Sequence, residues 1–266
     1  MARLHTGIIA FLALLSLTTV ARAQQIRDWD RFRFSAGAFF IDLDTKTKVE
    51  SSRLDRGTRI SLEDDLGMES SQTDLFLSAR YRFARRHSIG VGFLSIERNG
   101  DVTLREDIQF GDDFFTINID VESKFEFDLL QLSYRYVFLS REKFDIAFSV
   151  GINSIDYDIA LKAFGGAVEG REHEGYPVPS LGLGSRFRFA RGWSLGIGAA
   201  YFEYSTDDWE ASLFITDIDV EYFPWKHVGF GVGYNRLEIE YVEEGSDALD
   251  IDFIYDGVLV RAIVSF

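Results

Sequence analysis

Val258-Leu259-Val260-Arg261-Ala262-Ile263-Val264-Ser265-Phe266 closes the chain, and every even-numbered residue in it is apolar, the last an aromatic. A period of two marks a strand with two unlike faces. The same alternation recurs in hairpin pairs along the chain. The first residues read as an export signal: Arg3 is the positive start, Gly7 to Leu17 the apolar stretch, and Ala21-Arg22-Ala23 a small-x-small cleavage site. Cleavage is expected after Ala23, leaving residues 24–266 as the mature chain. A retained anchor is the alternative, but the apolar run is too short and too near the terminus to favour a spanning helix. Together these features predict an all-β chain, an antiparallel up-and-down transmembrane β-barrel of the Gram-negative outer-membrane kind.

No later stretch approaches the roughly 20 continuous apolar residues of a spanning helix. Mean hydropathy is -0.04, a value that a barrel tolerates because only alternate residues face lipid. There are no cysteines, so disulfides and a lipid-modified cysteine are excluded. Formal net charge is -15. Without Arg3 and Arg22 of the signal the mature chain is more acidic still, which argues against nucleic acid as a partner. The acids gather in Glu63-Asp64-Asp65, Glu106-Asp107, Asp112-Asp113 and Glu243-Glu244, read as solvated loops. Asp42-Leu43-Asp44 starts like a calcium loop, but the glycine and closing acid are not in place, and no metal or cofactor is expected.

Four short connections separate strands that end in aromatics: Ala84-Arg85-Arg86-His87, Ser140-Arg141-Glu142, Ala190-Arg191-Gly192 and Pro224-Trp225-Lys226-His227. Longer ones fall near 50–71, 107–115, 163–175, 205–210 and 243–248. Short periplasmic turns and long external loops are the asymmetry of outer-membrane barrels. The count is ten strands, with eight or twelve as alternatives if 205–224 is misread. In five strands the apolar parity switches: after Phe40, near Leu129-Leu130 and Asn153-Ser154, at Asn235-Arg236 and at Asp256-Gly257. Each switch lies about ten residues from the periplasmic end, the length of a tilted membrane crossing. Lipid is expected to enforce parity below this height, and the strands to bulge or invert above it.

Aromatics cluster at the periplasmic rim as an interfacial girdle: Phe83, Phe138, Phe189, Trp193, Tyr222, Trp225 and Phe266, with Phe32, Tyr81, Tyr136 and Phe187. A soluble β-sandwich would bury such residues but would not need them at one rim. The opposite parity places charges in the lumen. These are Arg31, Arg33, Arg80, Arg82, Arg135, Arg186, Arg188 and Arg261, with Asp145, Asp217, Asp219 and Glu221, beside glycines such as Gly90, Gly184, Gly196 and Gly231. Arginine forks that reach across small residues to carboxylates on other strands would plug the lumen. The surplus of arginines would otherwise line an anion-favouring path. In small barrels side chains fill the interior, which favours the plug.

Of four histidines, only His173, in Arg171-Glu172-His173-Glu174, is expected in an external loop, where Asp112 or Asp113 would be its partner in a general base. No serine elbow, zinc helix or phosphate loop is present, and Gly229-Phe230-Gly231-Val232-Gly233 reads as a strand with a small inner face. No catalytic residue is assigned.

At the level of pattern, residues 24–266 resemble the small outer-membrane barrels grouped with the OmpA/OmpW-type domains. Gly57-Thr58-Arg59-Ile60-Ser61-Leu62-Glu63-Asp64-Asp65-Leu66-Gly67-Met68 resembles a first-loop segment of uncharacterised barrels of this size, and Trp225 to Asn235 their penultimate hairpin. With Phe266 last, no periplasmic domain is expected, and the last strand departs from the assembly signal in lacking its glycine. The resemblance implies a fold and a location. Outer-membrane lipid and, during biogenesis, the barrel-assembly machinery are the expected partners, with small solutes or ions besides. The functional expectation is a structural or passive narrow-pore role. The alternatives are a barrel that binds ligands or surfaces through acidic loops 50–71 and 107–128, and an outer-rim protease or lipid hydrolase.

Overall fold

The structure is a computed structural model that describes residues 30–51, 57–163, 168–207, 209–243 and 248–266. The expected signal and its cleavage site lie outside the described residues. The strands are β1 (Phe32–Val49), β2 (Ile60–Ser61), β3 (Ser71–Ala84), β4 (His87–Thr103), β5 (Ile108–Phe110), β6 (Asp113–Phe115), β7 (Asp120–Ser140), β8 (Phe144–Ala163), β9 (Val168–Ala190), β10 (Trp193–Ser205), β11 (Trp209–Tyr222), β12 (Val228–Glu243) and β13 (Leu249–Ser265). Ten of them, all but β2, β5 and β6, form an antiparallel meander. It closes when β13 pairs with β1 from Arg33↔Ser265 to Val49↔Leu249. The expected ten-stranded barrel is therefore the observed one. Closure removes the open edges that a flat sheet would leave.

The outward face carries an apolar belt over the half nearer the short turns. Leu75, Leu132, Ile152, Leu181, Leu183, Ile197 and Phe230 all stand exposed on it. Phe83, Phe138, Phe189, Trp225 and Phe266 are exposed at its rim, and Trp193 stacks on Tyr222 with centroids 4.4 Å apart.

Above the belt the expected inversion of the strands does not occur. In β1 the odd residues face inward from Arg33 through Phe39, Ile41 and Leu43 to Val49. β7, β8, β12 and β13 likewise keep one parity through the switch points. Register shifts fall only at the short-turn ends, at Arg82/Ala84, Val137/Leu139 and Trp193/Ser194. What inverts is the chemistry. Where lipid surrounds the wall, apolar residues face out; where water does, the same wall turns polar residues out and buries apolar ones. The outer half is thus built like a soluble barrel, with a core of Phe39, Ile41, Leu94, Ile96, Phe127, Leu129, Ile159, Leu213, Leu237 and Phe253.

Two long connections complete that core instead of extending into solvent. Ile60, Leu62, Leu66 and Met68 are buried, and Leu62 donates its N–H to the Thr45 carbonyl at 3.0 Å. Glu63 is accordingly not a solvated loop acid. It pairs with Arg98, whose Nη2 also donates to Thr45 Oγ1 at 2.7 Å and whose guanidinium lies 4.8 Å from the Phe125 ring centroid. The β5–β6 hairpin buries Ile108, Phe110 and Phe115. It docks on the first loop (Thr58 N to Gln109 O, 2.9 Å) and on β1 (Gly111 N to Val49 O, 3.2 Å). Of the expected loop at 163–175, residues 168–175 belong to β9.

Candidate functional site

From the short-turn end upward the lumen holds a charged floor, an apolar layer and a cavity. Each charge of the floor stands beside small residues on neighbouring strands. Arg135 lies between Ser88 and Ser149, Arg186 between Asp145 and Gly196, Asp219 between Gly196 and Gly233, and Arg261 between Gly37 and Gly231. A Cβ on Gly184 would lie 3.3 Å from Arg135 Nη1, and one on Gly196 2.9 Å from Arg186 Nη2. Glycine here is the space into which guanidinium groups fold.

Glu221, almost wholly buried, is the hub. Arg33 from β1, Arg186 from β9 (2.8 Å) and Arg261 from β13 (3.0 Å) converge on it from different sectors of the wall. Arg186 and Arg261 also reach Asp219 at 3.3 and 3.4 Å. Arg188 pairs with Asp145 nearer the rim. Phe223, also buried, lies 5.5 Å from the Arg33 guanidinium. Arg31 stands apart from its expected place in this cluster: it precedes β1, is exposed, and gives only its carbonyl, to Arg82 N at 2.7 Å. Arg82 faces inward. Asp217 faces inward too, without a hydrogen bond or ion pair among the described residues.

Above the floor, Phe127 on β7 and Phe253 on β13 meet across the lumen with ring centroids 4.4 Å apart. They come from strands that do not pair, so side chains span the lumen here. Over this layer lies a cavity of about 460 Å³, bounded by β1 and by β7 to β13. Its walls include Phe125, Ile155, Ile159, Phe202, Trp209, Leu213 and Ile251. Tyr176 and Tyr241 stack at 5.4 Å, and Trp209 lies 6.3 Å from Tyr241. Burial pushes the Tyr241 phenol up to about 12 and raises those of Tyr157 and Tyr176, so all three stay neutral at ordinary pH.

Two polar atoms on the cavity wall, Thr47 Oγ1 and Tyr157 Oη, are buried and have no hydrogen-bond partner among the described residues. An orphaned hydroxyl costs about 1–3 kcal/mol, so a hydrogen-bonding group placed in this largely apolar cavity would be held at these two atoms. The wall beside them is incomplete. β9 pairs with β10 only from Ala190 to Leu181, where Leu181 faces Tyr201; above that it pairs only with β8. Pro177 and Pro179 occupy this free edge and line the cavity. Proline has no N–H to donate and suits a strand lacking one neighbour.

No family model matches the chain, and no curated protein matches it. Solved structures do. The outer membrane protease OmpT from Escherichia coli superposes with a TM-score of 0.60 at 9% identity, over 89% of this chain and 97% of that one. This is the fold of an outer-membrane β-barrel. More distant are the outer membrane protein AlkL (TM-score 0.41, 11% identity, 90% and 92% covered) and the Ralstonia pickettii toluene transporter TbuX (0.40, 8%, 92% of each). At these identities the likeness concerns the fold, and the expected kinship with small outer-membrane barrels holds at that level.

The expected base at His173 does not form with Asp112 or Asp113. Asp112 accepts from Ser51 Oγ at 2.9 Å. His173 lies 3.6 Å from Asp158, both of whose oxygens are held by Arg171 at 3.1 Å. His173 and Asp158 have outward parity on β9 and β8, away from the cavity. Sequence reading missed the cavity itself. Its signal was present in Phe125, Phe127, Ile155, Tyr157 and Ile159, apolar residues on the inward parity above the switch.

Proposed function

We propose that this chain is an integral outer-membrane barrel, closed to through-flow, that binds one apolar small molecule bearing a hydrogen-bonding group in its outer cavity. The short turns lie on the periplasmic side, by the usual asymmetry of such barrels. The observation that carries the reading is the pair of orphaned hydroxyls, Thr47 Oγ1 and Tyr157 Oη, on a largely apolar cavity of about 460 Å³. Ligand sites combine this volume, apolar walls and a few placed polar groups. The ligand enters at the free edge of β9, between Pro177 and Phe202, because the β5–β6 hairpin and the first loop cover part of the mouth. Binding therefore resides in the lumen, and the acidic loops contribute the cover.

Trp209 reports on occupancy. In a version retaining Trp209, with Trp29, Trp193 and Trp225 changed to phenylalanine, a brominated medium-chain alcohol is expected to quench its fluorescence saturably. Ala211→Trp, which fills the cavity, would be scored against the same background by competition with a fluorescent apolar probe and should abolish binding while the barrel still folds. Tyr157→Phe should weaken the alcohol more than the matching bromoalkane. Quenching that rises linearly with concentration and ignores the cavity variants would refute the reading.

A further inference from the structure

Two arginines of the lumen floor, Arg80 and Arg135, are left out of the ion pairs among the described residues. Arg80 faces inward on β3, directly opposite Arg33 in the ladder and beside Gly90. Arg33 resolves that like-charge contact by reaching to Glu221. Arg80 makes no hydrogen bond and no ion pair among the described residues. The charged groups that bear on it most are Arg33, Arg82, Arg135 and Arg186, all positive. Arg135 resembles it in having no hydrogen bond or ion pair among the described residues, and it feels Asp217 and Asp145 together with Arg186 and Arg82. Seven inward arginines (33, 80, 82, 135, 186, 188, 261) face four acids (145, 217, 219, 221), and Glu221 and Asp219 are already shared among several of them. An uncompensated charge inside a lipid-surrounded wall is costly, and a guanidinium fork is built to take an oxoanion through two parallel N–H bonds.

We infer that the Arg80–Arg135 side of the floor is a binding site for a small tetrahedral oxoanion of the phosphate class, which supplies the negative charge that the wall lacks. The site is independent of the outer cavity. The two are separated by the Phe127–Phe253 layer, and neither requires the other to be filled. It also gives the arginine surplus a role in a closed lumen, where conduction is not the reason for it.

The refolded barrel in a nonionic detergent, which contributes no lipid phosphate, is titrated with inorganic phosphate replacing chloride at constant ionic strength, and thermal unfolding is followed. The midpoint should climb with phosphate as mass action requires. Arg80→Gln should weaken that response about ten- to a hundredfold in phosphate concentration, the loss of one charge-assisted contact. It should also leave the phosphate-free barrel no less stable than the parent, because the arginine it removes has no partner. Arg188→Gln, which breaks the Asp145 pair near the rim, should lower the midpoint yet keep the phosphate response. An unchanged response in Arg80→Gln, or no response in the parent, overturns the inference. So does failure of Arg80→Gln to refold, since that would make Arg80 a structural partner of the wall.

Discussion

Single residues decide whether this wall closes and whether its loop stays inside. Gly257 faces inward where β13 meets β1, and a Cβ there would collide with the carbonyl oxygen of Phe40. Backbone cannot yield as a side chain can, and the β1–β13 ladder is the pairing that closes the meander. Gly257→Ala should therefore slow barrel closure, seen as a delayed heat-modifiable gel shift on refolding into vesicles. Gly90→Ala is the control, because a Cβ there meets the Ser133 hydroxyl at 3.2 Å and a rotamer change relieves it. Arg98 works the other way, through what it holds. It is buried, binds Glu63 and Thr45 and lies over Phe125. Arg98→Ala strands Glu63 beneath the mouth, at a cost of about 3–5 kcal/mol by the behaviour of broken buried pairs. Urea unfolding should register the loss, and limited proteolysis should cut within 50–70 where the parent resists. Equal cleavage in both would mean that the first loop is held by its apolar residues alone.

At the scale of elements, β9 is two strands in one. From Leu181 to Phe187 it pairs on both sides; from Val168 to Ser180 it pairs only with β8. Hydrogen exchange in the folded protein should separate them, with amides of 181–190 protected well beyond those of 168–180. Uniform protection would mean that the free edge is covered and that the cavity has no side entrance. The belt, the four short turns and the ten long strands were legible in the sequence, because lipid imposes a strict period of two and short turns leave little choice. The first loop was not. Ile60, Leu62, Leu66 and Met68 sit among Glu63, Asp64 and Asp65, and local composition cannot tell a solvated acid from one that meets Arg98 about 35 positions later in the chain. The parity switches at Phe40 and Asp256 were visible but ambiguous. An apolar residue on the opposite parity is equally what an inverted strand or a change of surrounding solvent would produce, and only register distinguishes them.

For the whole molecule the question is whether anything crosses it. Two obstructions lie in series under a partly covered mouth. The Phe127–Phe253 contact closes the middle. At the floor Glu221 draws together arginines from β1, β9 and β13. Ions would need to part an apolar contact and a multiply bonded carboxylate, each unfavourable in a confined lumen. The refolded barrel is thus expected to be silent in a planar bilayer at about 100 mV, a potential worth only about 2.3 kcal/mol per elementary charge. Deleting residues 57–68 should not open it, because the first loop is not one of these two obstructions. Glu221→Ala should not open it either while the aromatic layer stands. The double change Phe127→Ala with Glu221→Ala removes the main cross-lumen contact of each level, and it is the variant expected to give discrete, salt-dependent steps. Steps in the parent would restore the passive-pore expectation and recast the arginines as a selectivity lining. Silence in the parent with steps in the double variant would show a barrel sealed at two levels, whose exchange with the outside is confined to the cavity above them.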